Sequence, residues 1–143
     1  MLIDDRLLVA QLTGVNMLGR SRAKIHTTTY WYYRACRAAV LGASGQLSGP
    51  FEALDSTDQS RAIAAMLQLP DRIGLPDPRL LVPAMVEIAS RHPILNLMNI
   101  EAAASARHLG ARVLLSPPAA NGVLAPVLDA EGIPWDTRDP GAC

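Results

Sequence analysis

A chain of 143 residues, half of them hydrophobic, is long enough to bury the core of one domain. Its 13 basic and 13 acidic residues give no net charge, which excludes an overall electrostatic attraction to nucleic acid or to a membrane. Only a local charged patch could bind either of them. The two cysteines, Cys36 and Cys143, are too few for a disulfide framework. No apolar stretch is long enough to span a bilayer. We therefore expect a cytoplasmic protein without a signal peptide.

The hydrophobic pattern predicts short apolar strands that alternate with helices. In chain order, the predicted strands cover residues 1–3, 25–28, 112–115 and 133–135. The predicted helices cover residues 6–12, 29–41, 57–69, 78–90 and 123–130, with a further alanine-rich helix between residue 95 and Gly110. Residues 72–75 are either a further strand or an extended link, and residues 42–50 form a loop rich in Gly and Ser. This alternation indicates one α/β domain over residues 1–137, a three-layer sandwich with a small parallel sheet, followed by a frayed tail over residues 138–143.

Local signals predict where two of the helices begin and end. Ser56 and Gln59 have the spacing of a capping box, which opens the helix over residues 57–69. The alanine-rich helix is capped by Asn96 or Asn99 and ends at Gly110, which suits a left-handed C-cap. The apolar strand after that helix completes half of a parallel crossover, so we expect it to lie beside the strand over residues 1–3.

The helix over residues 29–41 carries four of the six aromatic residues of the chain in one run, from Tyr30 to Tyr33. Four consecutive positions span about 300° of a helix surface, whereas a helix on a sheet buries a stripe about 100° to 160° wide. At least one large ring therefore lies outside the core, and we expect Tyr32 or Tyr33 to face a loop, a groove or a partner, foremost a second copy of the chain. Arg34 and Arg37 flank the rings, so nucleic acid can use the same surface.

Three stretches together resemble PIN domains, including toxins of the VapC type. MLIDDRLLVAQL resembles the opening strand, Asp and helix of that family. LNLMNIEAAASARHLGARVLLS resembles its late helix and the strand that follows, and the ending with GIPW resembles its closing helix and strand. The resemblance covers about half of the chain, at both ends and in the right order.

The resemblance implies a PIN-like fold and, for members of known activity, a metal-dependent ribonuclease that is often the toxin of a toxin–antitoxin pair. Such sites gather carboxylates around Mg²⁺ or Mn²⁺, because hard divalent ions prefer oxygen ligands. Asp4 matches the first acid of the family, but the second is missing from TTTYWYYRACRAAV. The third falls on Asn99, with Glu101 two positions further, and the fourth falls in the run of Ser116, Pro117 and Pro118.

These matches give the candidate site residues. The candidate catalytic residues are Asp4 and Glu101, the candidate metal ligands are Asp4, Asp5 and Asn99, and the candidate partner- or nucleic-acid-binding residues are Arg22, Lys24, Tyr32, Tyr33, Arg34 and Arg37. Each has a structural alternative: Asp4 or Asp5 can cap the first helix, Glu101 can complement a helix dipole, and the basic residues can be scattered surface charge. Glu87 is interpreted as a solvated residue of its helix.

The expected function is binding by a PIN-like domain whose nuclease site is largely lost. The partners considered are RNA, an antitoxin-like protein and a second copy of the chain, with no membrane. One alternative is an enzyme, a ribonuclease dependent on Mg²⁺ or Mn²⁺ that uses Asp4, Asp5, Glu101 and Glu87. Another is a structural homodimer.

Overall fold

A computed structural model describes residues 1–15, 23–41 and 49–141 of the chain, with Leu41 described by its backbone alone. The five strands of this part are β1 (Leu2–Ile3), β2 (Ile25–His26), β3 (Ile73–Gly74), β4 (Val113–Leu115) and β5 (Trp135–Thr137). Its eight helices are α1 (Asp5–Leu12), α2 (Thr29–Leu41), α3 (Gly49–Glu52), α4 (Ser56–Leu67), α5 (Pro78–Arg91), α6 (Leu97–Leu109), α7 (Pro117–Ala120) and α8 (Leu124–Ala130). Of the loop predicted over residues 42–50, residues 42–48 lie outside the described residues, and residues 49 and 50 begin the short helix α3 instead.

The strands form one parallel sheet in the order β3-β2-β1-β4-β5. β1 lies in the middle, and its Leu2 pairs with Val113 of β4 while Ile3 pairs with Leu114. The predicted parallel pairing of these two segments is therefore confirmed. Residues 73 and 74 form an edge strand, which settles the open alternative for this segment.

Alternate residues of the strands face two separate cores, because successive side chains of a strand point to opposite faces of the sheet. Leu2 and Val113 belong to one core, which α5, α6 and α8 cover with residues that include Ile88, Ala102 and Leu128. Ile3 and Leu114 belong to the other, which α1, α2 and α4 cover with residues that include Leu7, Ala35 and Met66. This arrangement is the predicted three-layer α/β sandwich.

The alanine-rich helix α6 lies close against the sheet, as its composition predicts. Its alanines at positions 102, 103, 104 and 106 are at most 1% exposed. The side chain of Asn96 accepts a hydrogen bond from the backbone N–H of Asn99, so Asn96 is the N-cap. Gly110 ends the helix with φ 55° and ψ 34°, the left-handed conformation expected there.

The start of α4 differs from the predicted capping box. The N-cap is Asp55, whose carboxylate accepts from the amides of the first turn, and the helix begins at Ser56. The side-chain amide of Gln59 instead donates to the carbonyl of Phe51, because the packed α3 brings that carbonyl within reach. Leu67, the last residue of the helix, is 52% exposed.

The C-terminal part also departs from the predicted boundaries. Residues 117–120 form a short helix that was not predicted, and β5 covers residues 135–137 where residues 133–135 were expected. Ile133 instead packs into the core that α5, α6 and α8 cover. The backbone N–H of Arg138 donates to Leu115, so pairing with β4 continues one residue past β5. Among the residues described, every helix is too short or too polar to cross a bilayer.

Candidate functional site at the carboxyl edge of the sheet

Asp4 and Ser116 end the two central strands and are hydrogen-bonded to each other. Asp4 is fully buried, and its Oδ1 accepts a hydrogen bond of 2.9 Å from the amide of Leu7, which caps α1. Its Oδ2 accepts from the amide of Ser116 at 2.7 Å and from the hydroxyl of Ser116 at 2.6 Å. Both carboxylate oxygens of Asp4 are thus bound inside the protein, where they hold the ends of β1 and β4 together.

Glu101 projects from α6 to the start of α2. It is 5% exposed, and its two carboxylate oxygens accept from the amides of Thr29 at 3.0 Å and Tyr30 at 2.9 Å. The hydroxyl of Thr28 accepts from the amide of Trp31, which completes the cap. Glu101 is therefore the counter-charge at the positive end of the α2 dipole. Glu101 thus complements the dipole of α2 and not that of its own helix α6, whose N-terminus is capped by Asn96.

Asp5 is the one predicted acid that lines a pocket at this edge. Its carboxylate is 5% exposed, and its Oδ2 lies 3.0 Å from Nη1 of Arg34. The contact is an ion pair without hydrogen-bond geometry, so Oδ2 is buried without a hydrogen-bond partner in the described part of the chain. Burial raises the pKa of Asp5, and the positive charge of Arg34 opposes that increase.

The pocket encloses about 290 Å³ between α2, α6 and the start of α8. Its polar lining consists of Asp5, Arg6, Arg34, Asn99 and Ser116. Its apolar lining includes Trp31, Met98, Val123 and Leu124. The structure thus brings Asp5 and Asn99 together in the lining of one pocket, but it places Asp4 behind the pocket and Glu101 at the N-terminus of α2.

These donors do not fit a divalent cation. A tight Mg²⁺ or Mn²⁺ site needs several converging oxygens, usually with two or more negative charges. The oxygens of Asp4 and Glu101 are bound to amides, and the guanidinium of Arg34 already neutralises Asp5. Within residues 1–15, 23–41 and 49–141, no three His, Cys, Asp or Glu side chains lie close enough to hold a metal ion. Glu87 is 58% exposed on α5 and paired with Arg107 at 3.4 Å, as its solvated interpretation requires.

The outer side of α2 carries an exposed stripe, which we define as Tyr30, Tyr33, Arg34, Arg37 and Val40. Tyr30 is 39% and Tyr33 is 58% exposed, whereas Trp31 is 2% exposed in the core. The prediction that a ring lies outside the buried stripe is confirmed.

The other candidate binding residues are placed differently from this α2 stripe. Tyr32 is half-buried, and its hydroxyl donates to the carbonyl of Leu67, so Tyr30 takes its place as the second exposed ring. Tyr30 was not among the predicted binding residues, although its i, i+3 spacing to Tyr33 places both rings on one side of α2. Lys24 is exposed beside the chain start, where its carbonyl accepts from the amino group of Met1. Arg22 lies outside the described residues.

A second charged cluster joins α5, α6 and α8 in the other half of the molecule. Glu131 accepts two hydrogen bonds from Arg91, at 2.9 and 2.8 Å, and a third contact of 2.7 Å comes from Nε2 of His92. Arg107 lies 3.7 Å away. The hydrogen bonds from Arg91 are the main cause that lowers the pKa of Glu131 to about 2. This cluster was not predicted, because Arg91 and Glu131 are 40 positions apart in the chain.

The fold, but not the sequence, is similar to that of a known protein. No protein-family model and no curated protein matches the sequence. A chain in the structure of VapBC-1 from nontypeable Haemophilus influenzae superposes with a TM-score of 0.57 at 10% identity, and the match covers 98% of this chain and 97% of that one. A likeness at this identity shows the fold alone. The chain therefore has a three-layer α/β fold of the PIN-like type.

Proposed function

We propose that this chain is a PIN-like protein of the toxin–antitoxin type that works by binding and has lost the metal centre of a nuclease. The observation that carries the proposal is that Asp4 and Glu101 direct all four carboxylate oxygens to hydrogen bonds within the protein. The similar fold found in VapBC-1, a toxin–antitoxin complex, supports the choice of protein class.

The pocket suits a polar ligand better than metal-assisted cleavage. Hydrolysis of a phosphodiester by this type of chemistry requires a cation to orient water and to offset charge on the phosphate. Only Asp5 among the predicted acids lines the pocket, and Arg34 is its ion-pair partner. With Arg6 also present, the pocket has one negative and two positive side chains, a balance that disfavours binding of a cation.

Single-stranded nucleic acid is the partner that the α2 stripe fits best. The stripe presents two phenol rings and two guanidinium groups, and α2 contains no acidic residue. Rings and guanidinium groups stack on bases, and the positive charge attracts phosphates. A pairing of the stripe with itself in a second copy would oppose arginines to arginines, which argues against a homodimer at this surface.

An antitoxin-like protein is the second candidate partner, and the pocket supports it. Arg34 belongs both to the α2 stripe and to the pocket wall, so a partner chain lying along α2 would reach the apolar side chains of Met98, Val123 and Leu124. Val123 is 43% exposed there. Such a partner would place an acidic or apolar side chain beside the arginines.

The test measures cleavage and binding of RNA by the same protein. We expect no cleavage of mixed single-stranded RNA with or without Mn²⁺, and binding that a Tyr33→Ala, Arg37→Ala double variant weakens by about tenfold or more. Arg61→Ala, on exposed α4, is the matched control and should bind like the wild type.

Cleavage that depends on Mn²⁺ and disappears in Asp5→Asn would overturn the proposal and restore the ribonuclease alternative. Equal binding by the Tyr33, Arg37 double variant and the wild type would remove the α2 stripe as the RNA surface. If RNA does not bind at all, the antitoxin-like protein becomes the candidate partner, and mass spectrometry of proteins that copurify with the tagged chain, compared with the Arg34→Ala variant, tests it.

A further inference from the structure

The pocket at the carboxyl edge of the sheet contains two polar side chains whose hydrogen-bonding capacity the fold does not use. Asn99 is 9% exposed, and its side-chain amide forms no hydrogen bond within the described part of the chain. Asp5 is 5% exposed, and its Oδ2 has no hydrogen-bond donor among the same residues. Because a buried polar group without a hydrogen bond is costly, these two side chains indicate a ligand that supplies the missing contacts.

The rest of the pocket fits one flat ring system. Trp31, Met98 and Leu124 supply apolar walls, and the volume of about 290 Å³ lies at the lower end of the range of small-molecule pockets. The amide of Asn99 donates as well as accepts, whereas the carboxylate of Asp5 only accepts. The ligand must therefore present N–H donors to Asp5 and an acceptor to Asn99.

Guanine matches this pattern better than the other bases. Its Watson–Crick edge carries two adjacent donors, the N1–H and the N2 amino group, next to the O6 acceptor. Adenine and cytosine each offer a carboxylate one amino group, and the ring nitrogen beside it repels the second oxygen. Uracil offers one N–H between two carbonyl groups, which a carboxylate also repels.

The charge of the pocket favours a nucleotide over a cationic ligand. Arg6 and Arg34 line the pocket together with Asp5, so positive side chains are in excess there. A guanidinium group from a protein partner would also offer paired donors to Asp5, but it would meet this positive excess. The phosphate of a nucleotide is instead attracted by Arg6, which forms no ion pair with any carboxylate of the described residues.

We propose that the pocket binds one guanine base of a single strand whose neighbouring bases lie on the α2 stripe. The N1–H and the N2 amino group donate to Asp5, and O6 accepts from the side-chain amide of Asn99. This inference rests on the proposed function, because the α2 stripe is the surface that brings the strand to the pocket.

Arg34 connects the two surfaces and covers Asp5 until the base arrives. Its side chain is 46% exposed, and its Nη1 lies 3.0 Å from Oδ2 of Asp5 and 3.3 Å from Sδ of Met98. The contact with Asp5 lacks hydrogen-bond geometry, so the N–H donors of guanine replace it with better-aligned bonds. The displaced guanidinium then stacks on the neighbouring base.

Two measurements separate the pocket from the α2 stripe. Fluorescence anisotropy compares short oligouridines whose central position is uridine, adenosine, guanosine or inosine. We expect guanosine to bind about tenfold more tightly than uridine or adenosine, and inosine, which lacks the N2 amino group, to bind about threefold more weakly than guanosine. Calorimetry with guanosine monophosphate and adenosine monophosphate tests the pocket without the stripe, and the guanine nucleotide should bind more tightly.

Variants of the two polar side chains test their roles. Asp5→Asn should abolish the preference for guanosine and leave the oligouridine affinity unchanged, because an amide cannot accept from both donors. Its remaining oxygen can still accept from the backbone amide of Arg6, so we expect an unchanged fold by circular dichroism. Asn99→Ala should reduce the preference about threefold, since only the contact with O6 is lost. Arg61→Ala on α4 is the control and should bind each oligonucleotide like the wild type.

The results for the pocket and for the α2 stripe can be told apart. Equal affinity of the wild type for guanosine and adenosine monophosphate would overturn the guanine pocket, whatever the oligonucleotides do. So would a preference for guanosine that persists in Asp5→Asn. The Tyr33→Ala, Arg37→Ala variant should weaken every oligonucleotide equally and leave the mononucleotides unchanged. Guanosine monophosphate that binds preferentially to a protein without affinity for any oligonucleotide would support the pocket and refute the stripe.

Discussion

Replacement of Asp4 separates a structural carboxylate from a metal-binding one, because the two roles predict opposite signs of the stability change. As a structural group, Asp4 accepts hydrogen bonds from Leu7 and from both donors of Ser116. As a metal ligand in a protein without metal, it would repel Asp5, and its removal would stabilise the fold. The charge of Asp4 does raise the pKa of Asp5, so some repulsion is present to be relieved.

The structure gives the loss of free energy of unfolding that we expect for two variants of Asp4. Asp4→Asn keeps an oxygen for the amide of Leu7 but turns an NH₂ group toward the amide of Ser116, so a buried donor faces a donor. An unsatisfied buried group costs about 1–3 kcal/mol, and we expect about 2 kcal/mol for this variant. Asp4→Ala also loses the helix cap, which adds about 1 kcal/mol, and leaves the hydroxyl unpaired, for a total of about 4 kcal/mol.

Urea denaturation followed by circular dichroism measures these changes. Asp77→Asn is the matched control, because Asp77 caps α5 at an exposed position through the amide of Arg79 and has no tertiary hydrogen bond or ion pair within the described part of the chain. Asn caps about as well as Asp, so the control should change the free energy of unfolding by less than about 0.5 kcal/mol. An Asp4→Asn variant as stable as the wild type, or more stable, would refute the structural role of Asp4 and revive the metal site.

Three further predictions concern stability. Glu101→Gln should cost about 1–2 kcal/mol and accelerate amide exchange in the first turn of α2, because a neutral amide binds those two N–H groups and the dipole less strongly; unchanged exchange would contradict this role. The lowered pKa of Glu131, about 2 in the fold against its usual value of 4.5, contributes stability that is present above about pH 4.5 and lost as the pH falls toward 2. Solvent screening at the exposed Arg91 limits that contribution to about 1–2 kcal/mol. Between about pH 4.5 and pH 2, the Glu131→Gln variant should therefore lose about 1–2 kcal/mol less free energy of unfolding than the wild type. Gly74→Ala should lower stability by about 1–3 kcal/mol in thermal denaturation, because a Cβ there would lie 2.5 Å from Cδ2 of His26 and force that ring to move; an unchanged melting temperature would show that the ring moves freely.

Several elements follow from local sequence, and these were predicted well. The helix over residues 97–109 has strong helix formers, an Asn cap and a Gly stop within one stretch, so no distant residue is needed to specify it. The short apolar run after it predicts a buried strand. A helix that leads into such a strand is the crossover that parallel strands require, so a parallel sheet follows. By contrast, the boundary of α4 moved by one residue, because Asp55 and Ser56 are both good caps and packing of α3 decided between them.

The fold class, the pairing of β1 with β4 and the aromatic ring outside the core were predictable, because each depends on periodicity or on residues close in the chain. The roles of the acids were not, because they depend on contacts between residues that are far apart in the chain. Asp4 meets Ser116 across 112 positions and Glu101 meets Thr29 across 72, and these contacts turn two candidate catalytic groups into caps and strand ties. A carboxylate has the same appearance in a sequence whether it binds a cation or a backbone amide, and the difference depends on which donors the fold brings within about 3 Å of it.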